Sequence, residues 1–276
     1  MSSNLANIYA SKNNLEAGAF ASGLEAIGWR VKHYNASDHG KGQVIPCDLL
    51  VISGTRGKGQ TLLDDYSAAG IPAVVIDYGY LDRVSGVLTW RTGHWQVGIG
   101  GLNRPPAFQC PDDRLKRIGT APQRPKSGHG ALVMGQHSGD PSHGLTDAQM
   151  QSWAQRVCDE TGGYWRPHPD SPHIKVNAPL ADGPLSYWLG KVERVHTLCS
   201  TGGLDALVAG IPAVAEMPDR ACWGALSGPD HPGTAAVRQL CARLAYGQWT
   251  LEEMRSGEAA AFITRNMERW NEQNCI

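Results

Sequence analysis

Short apolar runs alternate with amphipathic stretches along the first half of this chain, and glycine or proline closes most of them. Runs that are apolar through their middle, such as DLLVIS at 48–53, are typical of central parallel strands. Stretches with apolar residues at helical spacing lie between these runs. The pattern predicts a doubly wound α/β sheet. Its strands are predicted at 5–10, 29–34, 48–53 and 73–77, and its helices at 15–27 and 60–69.

The second half repeats this arrangement. The hexapeptide AGIPAV occurs at 69–74 and again at 209–214, each time after a strand, a glycine-containing turn and a short helix. This internal repeat predicts two similarly built, Rossmann-like domains, at 1–126 and 127–276. The proline-rich, basic segment 102–130 is expected to be an exposed link between them. Further strands are predicted at 131–134, 195–199 and 213–215, and helices at 146–160, 204–209, 239–248 and 251–270.

Composition narrows the class of protein. No apolar run is long enough to cross a bilayer, and the amino terminus lacks a signal-peptide pattern, so a cytoplasmic location is expected. The seven cysteines are scattered without metal-site spacing, which argues against a disulfide framework or a structural metal. Residues 1–126 carry a net charge of +4 and residues 127–276 one of −5. The basic first half is compatible with an acidic partner such as nucleic acid.

Three predicted strand ends in the second half carry groups suited to an anion. In open α/β sheets, ligands bind beyond the carboxyl ends of the strands. A helix that begins on a small-residue turn offers unpaired N–H groups and a positive dipole end to a phosphate. The alternative is an ordinary strand–helix–strand unit with a capped helix. The candidate residues for a nucleotide are Gly135, Gln136, Arg166, His168, Ser200, Thr201, Gly202 and Asp205.

Two of these segments carry a resemblance to a known family. RPHP at 166–169 and STGGLDAL at 200–207 resemble the donor-binding signature of GT-B glycosyltransferases. The whole-chain pattern, including IDYGYLDR at 76–83 and HWQVGIGGLN at 94–103, is similar to phage and prophage glycosyltransferases. Some members of this wider class attach sugars to hydroxymethylated pyrimidines in DNA.

The resemblance implies two Rossmann-like domains facing a cleft, with a nucleotide-sugar held by the second and the acceptor by the first. It implies a UDP-sugar as co-substrate, no cofactor and no obligatory metal, and the chain has no Asp-x-Asp triplet. Ser200, Thr201 and Gly202 would meet the phosphates, and His168 the phosphate or nucleotide. Asp205 would meet the ribose, although the family pattern has the longer Glu there.

Sugar transfer by direct displacement needs a general base within hydrogen-bond reach of the acceptor hydroxyl. The candidate base is Asp77, which lies where an apolar strand ends. The alternative interpretation of Asp77 is a carboxylate that caps the next turn. Further candidates for the base are Asp38, His39 and His94. The segment GTRGKG at 54–59 lacks the spacing of a phosphate-binding P-loop. The candidate acceptor contacts are Lys12, Asn13, Arg56, Lys58, Tyr78, Arg83, His94 and Trp95.

The residues and this resemblance together predict a GT-B glycosyltransferase, and the resemblance implies that it is metal-independent. The favoured acceptor is 5-hydroxymethylcytosine or 5-hydroxymethyluracil in double-stranded phage DNA. The alternatives are transfer to a cell-surface glycan, a nucleotide-sugar epimerase, and a noncatalytic protein that binds nucleotides or nucleic acid.

Overall fold

The computed structural model describes residues 4–11, 13–84 and 89–272. The chain forms two compact units. Of the described residues, the first unit contains those up to 118 together with those from 242 onward, and the second contains residues 119–241. The sequence places the closing helices with the second domain, whereas in the structure the segment after 241 packs with the first.

The first unit is built on a sheet in which six described strands follow the order β10-β5-β4-β3-β1-β2. The strands β1 to β4 are parallel, and β5 and β10 add an antiparallel edge. Alternate side chains of the parallel strands enter opposite layers of the core, as the two-residue period of a strand requires. The strands are β1 (Leu5–Tyr9), β2 (Arg30–Tyr34), β3 (Leu49–Ser53), β4 (Ala73–Tyr78), β5 (Trp95–Ile99) and β10 (Gln248–Trp249).

Helices cover both faces of this sheet. Helix α1 (Leu15–Ala26) shares one apolar layer with α8 (Leu251–Arg255) and α9 (Glu258–Glu272), whereas α2 (Gly59–Ala68) packs on the other face. The helices that follow β1 and β3 therefore leave the sheet in opposite directions. Since β1 and β3 are neighbours, a crevice forms between them at the carboxyl edge of the sheet.

Helix α1 packs closely on α8, and Gly23 lies at the contact. A Cβ atom at Gly23 would lie 1.9 Å from the backbone oxygen of Met254, whereas one at Gly18, in the same helix, would meet nothing within 4 Å. We expect Gly23→Ala to lower the free energy of unfolding by about 3 kcal/mol, because backbone atoms cannot move aside. Gly18→Ala is the matched control and should raise it by about 0.5–1 kcal/mol. Urea unfolding measures both, and equal effects would contradict the packing described.

The second unit contains a parallel sheet, and its four described strands follow the order β7-β6-β8-β9. Thr146 begins helix α4 with a capping box completed by Gln149, in agreement with its predicted role as N-cap. The strands are β6 (Ala131–Met134), β7 (Tyr164–Arg166), β8 (Arg194–Thr197) and β9 (Ala213–Ala215). The helices are α4 (Asp147–Thr161), α5 (Leu185–Trp188) and α6 (Thr201–Val208), and α7 (Thr234–Tyr246) crosses the boundary at 241.

The repeated hexapeptide performs the same task in both units. Gly70 and Gly210 end a helix at φ values of 71° and 83°, in the left-handed region that favours glycine. The following isoleucine N–H bonds back to the helix, and the proline carbonyl accepts from the neighbouring strand, at 2.9 Å in the first unit and 3.0 Å in the second. The two Rossmann-like halves predicted from this repeat are therefore present.

The boundary between the two units lies inside the predicted link 102–130, but the part of the segment before that boundary is not simply exposed. Residues Asp113–Ile118 form helix α3, and the Arg114 side chain is 2% exposed. Arg114 is buried because its guanidinium group binds backbone and side-chain oxygens of the carboxy-terminal segment.

None of the described helices is both long enough and apolar enough to span a membrane.

Candidate active site

A cavity of about 370 Å³ occupies the carboxyl edge of the first sheet, at the crevice between β1 and β3. It lies where the strand order of an open α/β sheet places a ligand. The turn after β1, the end of β3, the end of β4 and the start of β5 all contribute to its wall. The lining residues are Ser11, Asn13, Asn14, Leu15, Glu16, Ser53, Gly54, Ile76, Asp77, Tyr78, Trp90 and Trp95.

Asp77 lies in this cavity, at the position predicted for the general base. It is half-buried near the end of β4, and its Oδ1 accepts a hydrogen bond of 2.7 Å from the Tyr78 backbone N–H. Gly54 has a φ of 66°, and a Cβ there would lie 3.6 Å from Asp77 Oδ2. The left-handed backbone favours glycine here, whereas a Cβ atom would meet the carboxylate only at an ordinary contact distance.

Aromatic rings form the outer part of the cavity. The rings of Tyr78 and Trp95 are stacked, with centroids 5.6 Å apart and an interplanar angle of 19°. Tyr78 is 50% exposed and Trp90 is 38% exposed, so part of each ring is open to solvent. The Trp95 indole N–H donates to the Trp90 carbonyl at 3.3 Å and so ties the two tryptophan segments together. The cavity therefore presents flat, exposed faces beside a carboxylate.

Glu16 is a second carboxylate in the cavity, and it is not among the site residues predicted from the sequence. It lies in the first turn of α1, where Asn14 is the N-cap. Its Oε1 accepts from Asn14 Nδ2 at 2.7 Å and from the Ser53 hydroxyl at 2.8 Å. Asn14 Oδ1 in turn accepts the Ala17 N–H at 2.8 Å. An acidic residue two places after an asparagine N-cap can be recognised in the sequence. The contact of Glu16 with Ser53 can be recognised only when the order of the strands is known.

Only some of the residues predicted to contact the acceptor line the cavity. Asn13, Tyr78 and Trp95 line the cavity. Arg83 and His94 do not line it: the Arg83 Nη1 donates to the Tyr80 carbonyl, and His94 is buried with Nδ1 3.2 Å from the Asp82 carbonyl. Arg56 and Lys58 are exposed on the turn after β3. Lys12 lies outside the described residues.

In the second unit, His168 follows the carboxyl end of β7 and is partly exposed. Burial lowers its pKa, and the neighbouring His137, whose ring centroid is 5.6 Å away, acts in the same direction. His168 Nδ1 accepts the Asp170 backbone N–H at 3.2 Å. The neutral ring therefore carries its proton on Nε2, which can donate to an acceptor such as a phosphate oxygen.

Three other predicted donor residues make contacts inside the second unit. Gln136 is buried just beyond the carboxyl end of β6, and its Oε1 accepts the Cys199 N–H at 2.6 Å. Arg166 Nη1 donates to the carbonyls of Ala181 and Gly183, at 3.1 and 2.7 Å. A Cβ at Gly135 would lie 2.6 Å from the Trp165 ring. Each residue therefore has a packing role, whether or not it also meets a ligand.

The amino terminus of α6 is arranged as the small-residue turn predicts. Ser200 is the N-cap, and its hydroxyl oxygen accepts the Gly202 N–H at 3.1 Å. A Cβ at Gly203 would lie 2.0 Å from the Trp223 ring, whose N–H donates to the Ser200 carbonyl at 2.8 Å. The glycine therefore lets an indole ring support this turn. Thr201 and Asp205 are half-buried on the same helix.

Within 4–11, 13–84 and 89–272, no group of three or more His, Cys, Asp or Glu residues is placed to hold a metal ion.

A comparison with protein-family models finds no match, and a search of the curated proteins finds none.

Two solved structures of Thermosulfurimonas dismutans KpsC are similar in fold. The one described as a beta Kdo 2,7 transferase is 14% identical, with a TM-score of 0.50 over 94% of this chain and 99% of that chain. The one described as a beta Kdo 2,4 transferase is 13% identical, with a TM-score of 0.55 over 88% of this chain and 91% of that chain. At this identity the likeness concerns the fold, which is the predicted GT-B type.

Proposed function

We propose that this protein is a glycosyltransferase that moves a sugar from a nucleotide-sugar, a UDP-sugar, to a hydroxyl group of the acceptor. The observation that carries the proposal is the cavity at the carboxyl edge of the first sheet, with Asp77 in its wall. Asp77 takes the acceptor's hydroxyl proton as the oxygen bonds to the anomeric carbon. The bond between that carbon and the diphosphate breaks, and the nucleoside diphosphate leaves with the electron pair.

The second unit holds the donor in this proposal. In the turn at Ser200, Thr201 and Gly202, the two hydroxyl groups donate to the diphosphate, and the positive end of the α6 dipole favours the same anion. His168 donates a hydrogen bond from Nε2 to the diphosphate, and the hydrogen bond from the Asp170 N–H to Nδ1 keeps the ring proton on Nε2. Asp205 accepts from the ribose hydroxyls. Gly135, Gln136 and Arg166 shape the loops around the donor.

The acceptor that we propose is a 5-hydroxymethylpyrimidine in double-stranded DNA. The exposed rings of Tyr78 and Trp90 offer stacking faces for a base, which must leave the helix before an enzyme can reach it. Exposed cations suit the phosphates on either side: Arg56 and Lys58 lie on the turn after β3, whose Gly54 lines the cavity, and Arg91 follows Trp90. The cavity volume of about 370 Å³ is near the lower end of the usual range for ligand pockets, about 300–1,000 Å³, and suits one small ring.

A glycan is the second candidate acceptor, because sugar rings also pack on exposed aromatic faces. The two similar structures are described as Kdo transferases. The DNA proposal differs in its use of the exposed cations. Transfer to a phosphate-bearing acceptor should therefore weaken steeply as salt increases, whereas transfer to a neutral glycan should not.

Mass spectrometry of nucleosides tests the proposal. Duplex DNA that contains 5-hydroxymethylcytosine or 5-hydroxymethyluracil is incubated with the protein and a panel of UDP-sugars, with and without EDTA. We expect a gain of one sugar on the modified base, with or without EDTA, and no gain on unmodified DNA.

Other results would redirect or end the proposal. Turnover of the donor without any acceptor would indicate an epimerase. Donor binding in a thermal-shift assay, without transfer to DNA, would redirect the acceptor to a glycan. A protein that neither binds nor turns over any nucleotide-sugar would contradict the proposed function.

A further inference from the structure

The geometry of the Glu16 carboxylate points to a second polar contact with the acceptor, beside the hydroxyl that reacts. Glu16 and Asp77 line the same cavity, but their surroundings differ. Glu16 is joined to the crevice wall by a closed set of hydrogen bonds from Asn14 and Ser53. It is therefore held as an oriented hydrogen-bond acceptor, and this inference rests on the proposed function of the cavity.

The direction of each hydrogen bond in this set is fixed. The Asn14 amide oxygen accepts the Ala17 N–H, so its nitrogen faces Glu16 and Ser53. Asn14 Nδ2 donates to the Ser53 hydroxyl oxygen at 3.0 Å. The Ser53 hydroxyl in turn donates a hydrogen bond to Glu16 Oε1 at 2.8 Å. Glu16 Oε1 thus receives two hydrogen bonds. Its Oε2 makes none with the described residues, so this oxygen can take a donor from a ligand.

We propose that Glu16 Oε2 accepts a hydrogen bond from the 4-amino group of 5-hydroxymethylcytosine. This amino group lies on the ring carbon next to the one that carries the hydroxymethyl group, so a base whose hydroxyl reaches Asp77 presents its N–H beside the reacting oxygen. A carboxylate is a suitable partner for the cytosine amino group. In 5-hydroxymethyluracil the same position is a carbonyl oxygen, which a carboxylate repels. Glu16 is thus a specificity-determining residue that selects hydroxymethylcytosine over hydroxymethyluracil.

The test compares duplexes that differ only in the modified base. Wild-type protein should transfer sugar to the hydroxymethylcytosine duplex with a kcat/KM about 10- to 100-fold higher than to the hydroxymethyluracil duplex. The variant Glu16→Gln should reverse this preference. Its amide oxygen can still accept from Asn14 and Ser53, while its NH₂ group occupies the Oε2 position and donates to the uracil carbonyl. The change should appear mainly in KM for the duplex, because Asp77 is untouched.

Glu25→Gln is the matched control. It removes the same charge from an exposed position on the same helix, so it should leave the preference between the two bases unchanged. Thermal unfolding of both variants checks that the fold is retained.

Three results would overturn the inference. Equal rates on both duplexes, unchanged by Glu16→Gln, would remove the role of Glu16 and leave the proposed transfer intact. A wild-type preference for hydroxymethyluracil would do the same. Transfer to neither duplex, with transfer to a glycan, would remove both the DNA acceptor and this role.

Discussion

Replacing Asp77 with asparagine is expected to lower kcat for sugar transfer by about 10²–10⁴-fold, the usual contribution of a general base. Asparagine has nearly the same shape, and its carbonyl oxygen can keep the 2.7 Å hydrogen bond from the Tyr78 N–H. It cannot take the acceptor's proton. The loss should therefore lie in kcat, with little change in the KM for the acceptor.

The control for this variant is Asp64→Asn. Asp64 is an exposed carboxylate on α2 in the same unit, and it accepts a hydrogen bond from Gln60 at 2.8 Å. Its replacement should leave kcat within twofold, by the general behaviour of surface residues. Binding of the nucleotide-sugar should persist in both variants, because we place the donor in the second unit. If Asp77→Asn transfers sugar at the wild-type rate, Asp77 is not the base.

Local patterns were sufficient to predict the core of both units. The run at 48–53 is apolar because β3 lies between two strands and under helices on both faces. The hexapeptide AGIPAV predicts the end of a helix and the return to the sheet, because its glycine and proline restrict the backbone in the same way wherever they occur. These features depend on neighbours in sequence, and sequence shows such neighbours directly.

The candidate site depended on contacts between distant segments. The position of Asp77 in the cavity could be predicted, because a polar residue at the end of an apolar strand is visible in the sequence; its role as the base stays a prediction. Glu16 could not, because its partner Ser53 lies 37 residues away, and only the adjacency of β1 and β3 brings them together. Gln136 and Arg166 also stand at strand ends, but the sequence could not show that they bond to atoms of their own unit.

Two other differences have local causes. The stretch 251–270 has helical spacing throughout, yet Gly257, at a φ of 86°, separates α8 from α9. Prolines and cations made the segment 102–130 resemble an exposed link. Composition could not show that one of those cations, Arg114, is held inside the first unit by the carboxy-terminal segment.

Arg114 is the buried connection between α3 and that carboxy-terminal segment. Its Nε donates to the Ala245 carbonyl at 2.9 Å, and its Nη2 to the Gln248 carbonyl at 3.0 Å. The guanidinium forms a two-pronged ion pair with Glu253, at 2.8 and 3.1 Å, and lies 3.6 Å from the centre of the Trp249 ring. Planar, bidentate and stacked contacts of this kind are specific to arginine. Removing the side chain would take the Arg114 donors away from the two carbonyls, and would leave Glu253 with the hydrogen bonds from Thr250 but without its ion pair.

We therefore expect Arg114→Ala to lower the free energy of unfolding by about 3–5 kcal/mol, the usual cost of removing one partner of a buried ion pair. Arg114→Lys should lose part of this, because lysine restores the charge but not the fork. Arg117→Ala is the control on the same helix. Arg117 is 56% exposed in its contact with Glu258, so its loss should cost at most about 1 kcal/mol. Urea unfolding at neutral pH measures all three, and equal losses for Arg114→Ala and Arg117→Ala would contradict the proposed connection.

The effect of pH gives an independent check on the same ion pair. Burial acts to raise the pKa of Glu253, but hydrogen bonds from Arg114 and from the Thr250 backbone N–H outweigh it, so the pKa is lowered in the folded protein. A lowered folded-state pKa contributes stability above the unfolded value, 4.5, and this contribution is lost as the pH falls through the folded value. The stability gap between wild type and Arg114→Ala should therefore narrow as the pH falls below 4.5. A gap that stays constant from neutral to acidic pH would show that Glu253 does not contribute, and that the packing of Arg114 on Trp249 and the two carbonyls accounts for its effect.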